Sequence, residues 1–225
     1  MPGFLRAALV LHRTYGKLPA GPRLHTLIRF LTCPFTRVLP YIPPSARTLL
    51  EIGGGHGVFA RLAAERGLRT YVVEPDLRKT LLAPRLGGQT GVPVPHPQTA
   101  IPRFIAGFDD CIAGSFDVIA IMDVLYAIPI DAWDPLLSRI HARLPEGGTL
   151  LIKEQDPTAR LKNSWNRAQE WVSERLLRIT MAETFNYEAP ETFVARLRRH
   201  GFGEVKTVRV DFGYPHPHLL YVAKR

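Results

Sequence analysis

The sequence predicts an α/β protein of three layers: helices on both faces of a mostly parallel sheet closed by an antiparallel pair, preceded by a helical cap. Three observations carry that prediction. The apolar run Leu49-Leu50-Glu51-Ile52 enters a glycine loop, Gly53-Gly54-Gly55-His56-Gly57, and leaves it with helical spacing from Val58 to Ala64. A β-rich run, Thr70 to Val73, then ends in Glu74, at the separation expected of a βαβ unit. Further apolar runs follow at Phe116 to Met122 and Thr149 to Lys153, and Gly203 to Val210 with His218 to Ala223 would form a closing antiparallel pair.

Residues 1–46 read as the cap. Phe4, Leu5, Leu9 and Leu11, then Leu24, Leu27, Ile28, Phe30 and Leu31, give two short amphipathic helices separated by Pro19, Gly21 and Pro22. Residues 1 to 50 hold Arg6, Arg13, Lys17, Arg23, Arg29, Arg37 and Arg47 and no acidic residue. Such a segment serves as a cover with solvated arginines, as a lid over an acidic or lipid-like substrate, or as a peripheral contact with an anionic membrane.

The main domain spans residues 47–225. Its glycine loop suits a ligand lying on the backbone, because glycine takes positive φ and has no Cβ to collide. A dinucleotide fingerprint beginning at Gly53 would need glycine at 58, where Val58 stands. Glu51 would repel a pyrophosphate, so the expected ligand is cationic there. Residues 86 to 110 hold Gly87-Gly88, Pro93, Pro95, Pro97 and Pro102, with Val92-Pro93-Val94 the only extended hint, so this stretch is expected to be an edge strand or a loop. Asp109 and Asp110 there fit a solvated turn or a ligand contact. Asp117 reads as a strand-start residue, Asp123 as a site residue or helix cap, and His56 as a solvent-facing loop residue. Lys153 and Glu154, adjacent on a strand, are expected on opposite faces, one of them a surface or sheet-covering residue. From Gln155 to about Tyr187 a helical insertion carrying Trp165, Trp171, Phe185 and Tyr187 is expected to roof the carboxyl ends of the strands.

The E-x-G-x-G-x-G run from Glu51 to Gly57, the acid Glu74 and the Leu144-Pro145-Glu146-Gly147-Gly148 turn, in that order, resemble the class I S-adenosylmethionine-dependent methyltransferases. The resemblance covers about residues 47 to 225 and implies a three-layer Rossmann-like methyltransferase fold, a seven-stranded mostly parallel sheet with one antiparallel strand, with S-adenosyl-L-methionine as cofactor. It implies that Glu51, Gly53, Gly54, Gly55, Gly57, Glu74, Pro75 and Asp123 hold that cofactor, with Glu74 accepting from both ribose hydroxyls. The stretches Asp123 to Pro129 and Lys153 to Asp156, with the Trp-rich segment, are similar to methyltransferases of small molecules and lipids, which implies an apolar or anionic small-molecule acceptor.

Methyl transfer from a sulfonium needs alignment first and a general base only where the acceptor loses a proton. Near the strand ends the candidates for that role are Asp123, Tyr126, Lys153, Glu154, Asp156, His216 and His218, and residue type singles out none. With a net charge of +9, nucleic acid is the competing acceptor. Asp123-Val124-Leu125-Tyr126 lacks the Pro-Pro run of base amino-methyltransferases, and Cys111 lacks the Pro-Cys context of cytosine C5 enzymes. RNA stands as an alternative, as does a non-catalytic cofactor-binding scaffold. Cys33 and Cys111 match neither a metal-ligand nor a disulfide spacing, no run reaches the length of a spanning helix, and the start lacks a cleavable signal pattern. A cytoplasmic setting is expected.

Overall fold

A computed structural model describes residues 2–82, 89–90, 103–105, 114–159 and 186–225. Its strands are β1 Thr48–Ile52, β2 Arg69–Val73, β3 Gln89–Thr90, β4 Arg103–Ile105, β5 Val118–Met122, β6 Thr149–Gln155, β7 Glu204–Arg209 and β8 His218–Lys224. They form one sheet of eight strands in the order β3-β4-β2-β1-β5-β6-β8-β7. β8 runs antiparallel to both its neighbours, and the remaining pairings are parallel. The strand order reverses between β1 and β5, so a crevice opens beyond their carboxyl ends, where α/β sheets take their ligands.

The count corrects the expectation of seven strands. β4 pairs with β2, and β3 adds an edge outside it. Three and two residues long, they are too short to show a period in sequence. Val92-Pro93-Val94 lies outside the described residues.

The helices are α1 Pro2–Tyr15, α2 Ala20–Thr32, α3 Phe35–Val38, α4 Val58–Ala64, α5 Leu77–Thr80, α6 Trp133–Arg143 and α7 Pro190–Arg199. The break between α1 and α2 ends at Pro19, which caps α2. Gly21 and Pro22, expected in the break, sit inside the first turn of α2, where proline's missing N–H is no loss. Phe4 stacks on Phe30 with ring centroids 4.9 Å apart, so the start of α1 meets the end of α2. Among the described residues no helix is long and apolar enough to cross a membrane.

Alternation along the strands sends each residue set to a different layer. Leu49, Val118, Ala120, Met122, Leu151 and Leu220 join α1 to α4 in one core. Leu50, Ile52, Ile119, Ile121, Ile152 and Tyr221 join α6 and α7 in the other. Ala7, Leu11, Tyr15 and Phe30 of the first helices belong to the same core as Leu49 and Phe59. Burying side chains of this size stabilises by roughly 1.5–3 kcal/mol each, which holds the cap against the sheet.

Candidate active site

The glycine loop leaves β1 and is held from both sides. Gly53 N–H donates to Val73 O at 2.7 Å, carrying the ladder past the strand end. Gly53 sits at φ 66°, and a Cβ there would lie 2.6 Å from a Val124 methyl, so the segment after β5 packs against this glycine. Gly55, at φ 61°, has no atom of the described residues, its chain neighbours aside, within 4 Å of where its Cβ would be. That side of the loop is open.

Glu74 fixes the loop's shape. Its Oε2 accepts the Gly55 N–H at 2.7 Å, and its Oε1 accepts the Asp76 N–H at 3.0 Å with Lys79 Nζ 3.8 Å away. A buried acid at the end of β2 therefore binds backbone of the loops that follow both β1 and β2, beside an exposed Pro75. Glu51 is also buried, and its Oε2 accepts the Ala60 N–H at 2.9 Å. The electropositive group it meets in the structure is the amino end of α4. Burial pushes its carboxyl up to about 8, against the opposing effects of the Ala60 N–H and the Arg29 charge.

His56 is buried at 6% exposure, contrary to the solvent-facing expectation. The reason is the cap: the His25 ring of α2 packs edge-on to it at 5.9 Å, and the Tyr15 hydroxyl of α1 donates to His56 O at 2.8 Å. Both N-terminal helices thus close on the loop.

At the end of β5, Asp123 turns with φ 57°, a left-handed conformation that aspartate tolerates better than most residues. Its Oδ2 accepts from Arg29 Nη1 at 2.9 Å, from Cys33 Sγ at 3.3 Å and from the Lys153 ammonium. Lys153 also donates to His218 Nδ1 at 3.1 Å, and His218 Nε2–H donates to Thr32 O at 3.0 Å. Burial and the Lys153 charge lower His218 to about 3, which keeps the ring neutral and fits this tautomer. Burial alone would raise the Asp123 carboxyl, but the Lys153 and Arg29 charges outweigh it and hold it well below the usual range. Asp123 Oδ1 is buried and has no hydrogen-bond partner among the described residues.

Lys153 and Glu154 do face opposite layers and both are buried, which leaves the sheet-covering alternative rather than the surface one. Glu154 Oε1 accepts the Val124 and Leu125 N–H groups at 2.9 and 2.8 Å, while Oε2 is buried without a partner among the described residues. Burial and the nearby Asp123 charge push Glu154 up to about 8. It lines a partly open pocket of about 300 Å³, open solvent included, walled by Tyr126, Trp133, Tyr187, Phe193 and Tyr221. Tyr126 stacks on Tyr187 with centroids 6.2 Å apart, and the Trp133 indole is fixed by the Leu125 and Ile128 carbonyls. Burial raises the Tyr126 hydroxyl, which disfavours the phenolate.

The other expected residues divide plainly. Asp117 Oδ2 accepts from Arg47 N, Thr48 N and Thr48 Oγ1, which makes it a strand-start residue. Asp156 is taken up by Thr158 and Arg209. His216 is partly buried, its ring 6.0 Å from that of His218. Asp109, Asp110, Cys111, Trp165, Trp171 and Phe185 lie outside the described residues. Sequence reasoning did not single out Arg29 as a site residue, naming it only among the basic residues of the cap. Its signal was position: Arg29 shares a helical face with buried Thr26, Phe30 and Cys33.

Among curated proteins, the demethylspheroidene O-methyltransferase of Rhodobacter capsulatus is 32% identical over 117 residues, covering 48% of this chain and 25% of that protein. An O-methyltransferase family protein from Burkholderia thailandensis superposes with a TM-score of 0.61 at 18% identity, over 92% of this chain and 59% of its own. Human N-acetylserotonin methyltransferase, solved in complex with SAM, does so at 0.62 and 15% identity, over 96% and 57%. The chain thus spans about a quarter of the curated relative and under two thirds of these two structures, and the structural likeness establishes the fold. The family described as a methyltransferase domain matches residues 23–206, from within α2 to within β7, and the chain belongs to that family.

Proposed function

We propose that the chain binds S-adenosylmethionine at the ends of β1, β2 and β5 and methylates a small-molecule acceptor held in the Glu154 pocket. The carrying observation is the loop at Gly55, open where a Cβ would stand and pinned by the buried carboxylate of Glu74. The residues fit the cofactor: Glu74 would hold the ribose hydroxyls, the Gly53 to Gly57 backbone the methionine portion, and Asp123 Oδ1 offers an acceptor for its ammonium. Bound there, the cofactor supplies an electrophilic methyl on a sulfonium. The protein's first contribution is positioning, worth several kcal/mol where alignment is good.

The aromatic walls of the pocket suit an apolar, planar acceptor. Glu154 Oε2, the unpartnered oxygen, would hold an acceptor hydroxyl and take its proton. Oxygen as the methylated atom is supported by the name of the Rhodobacter capsulatus relative.

Calorimetric titration with S-adenosylhomocysteine tests the cofactor assignment. Glu74→Ala should weaken binding by about 1.5–3 kcal/mol, the usual loss for a hydrogen bond to a charged group. A folded variant with unchanged affinity removes Glu74 from the site. Binding without turnover across a panel of hydroxylated acceptors would instead favour a cofactor-binding scaffold.

A further inference from the structure

The helices that close on the site have a second face. On α2, Leu24, Leu27, Ile28 and Leu31 recur at i, i+3, i+4 and i+7 and are 54, 51, 41 and 53% exposed, while Thr26 and Phe30 are buried. On α1, Leu5 and Leu9 are 69 and 50% exposed, opposite buried Ala7, Leu11 and Tyr15. Single exposed leucines are ordinary, but a stripe along every turn of a helix marks a contact surface.

Charge identifies what it contacts. Arg6, Arg13, Lys17 and Arg23 are all exposed on these two helices or the turn joining them, and residues 1 to 50 carry no acid. A second copy meeting this face about a two-fold axis would set basic residues against basic residues. An anionic bilayer offers apolar depth for the leucines and negative headgroups for the arginines. We propose that the α1–α2 hairpin docks on anionic lipid bilayers, with the Leu24, Leu27, Ile28 and Leu31 stripe at the boundary of headgroups and acyl chains. The same α2 carries Arg29 and Thr32, the partners of Asp123 and His218, so docking sets the strand ends beside the membrane and an apolar acceptor reaches them from the lipid phase.

Docking is read by binding alone, so its failure is separable from failure of the methyl-transfer reading. Co-sedimentation would use vesicles of phosphatidylcholine with about a third phosphatidylglycerol, beside pure phosphatidylcholine. The wild type should partition onto the anionic vesicles, less so as salt rises. The Leu24→Ser, Leu27→Ser, Leu31→Ser triple variant, checked for fold by circular dichroism, should bind about tenfold or more weakly. Three results overturn the proposal: no partition of folded wild type, equal partition onto neutral vesicles, or undiminished binding by the variant. Self-association of the wild type that the triple variant abolishes, seen by sedimentation equilibrium without lipid, would replace the bilayer with a second copy.

Discussion

Arg29 of α2 reaches Asp123 at the end of β5 across 94 residues of sequence, Nη1 to Oδ2 at 2.9 Å, and its Nη2 donates to Met122 O at 3.1 Å. Thr32, three residues on, accepts from His218, which accepts from Lys153, the other cation on Asp123. The polar chain starts and ends on α2, so this helix is locked to three strands by one connected network of charged and hydrogen-bonded groups.

Arg29→Ala should therefore cost about 2 kcal/mol in stability, less than the loss of a sole partner because Lys153 stays on Asp123. Urea unfolding measures it. A change below about 0.5 kcal/mol would mean that the pair adds nothing to the attachment of the cap.

Two glycine substitutions, two residues apart, should separate folding from binding. Gly53→Ala places a methyl into Val124 and should destabilise by about 2 kcal/mol or more. Gly55→Ala meets no protein atom and should cost about 1 kcal/mol for its positive φ, yet lower cofactor affinity at least as much as Gly53→Ala does. Wild-type affinity in folded Gly55→Ala would place the ligand elsewhere.

The contact between His25 and His56 makes a pH-dependent attachment. Burial, with Arg29 near one ring and Lys79 near the other, lowers both from 6.5 to about 4. Between those values the unfolded chain binds protons that the folded chain refuses, so stability from the neutral rings is present above pH 6.5 and lost as pH falls through that window. Glu51 and Glu154, raised to about 8, act in the opposite sense, so the comparison must be with His56→Gln, in which they are unchanged. The variant should show a shallower loss of stability on acidification, by up to about 1 kcal/mol per pH unit. Ring resonances titrating near 6.5 in the folded wild type would refute the burial argument.

Glu154 should set the pH profile of turnover. Only its carboxylate form accepts a proton, so kcat should rise through about pH 8 and Glu154→Gln should lose about 10²-fold or more while keeping cofactor affinity. A profile flat across that range in the wild type would assign proton removal to solvent.

The chain order alone determined the strand, glycine loop and acid of β1 and β2, the parallel sheet with its antiparallel β8, and the opposite facing of Lys153 and Glu154. These are local: positive φ, the twofold period of strands and short connections leave their mark within a few residues. Tertiary structure decided what meets across long separations. Whether Arg29 is solvated or bound to Asp123, whether His56 faces water or His25, and whether Glu154 lines a pocket depend on α2 and the sheet closing on one another. The edge strands β3 and β4 belong with these, since segments of two and three residues become strands only through the neighbour that supplies their hydrogen bonds. A buried charge is legible only once its partner is in place, because burial and pairing are properties of two distant segments together.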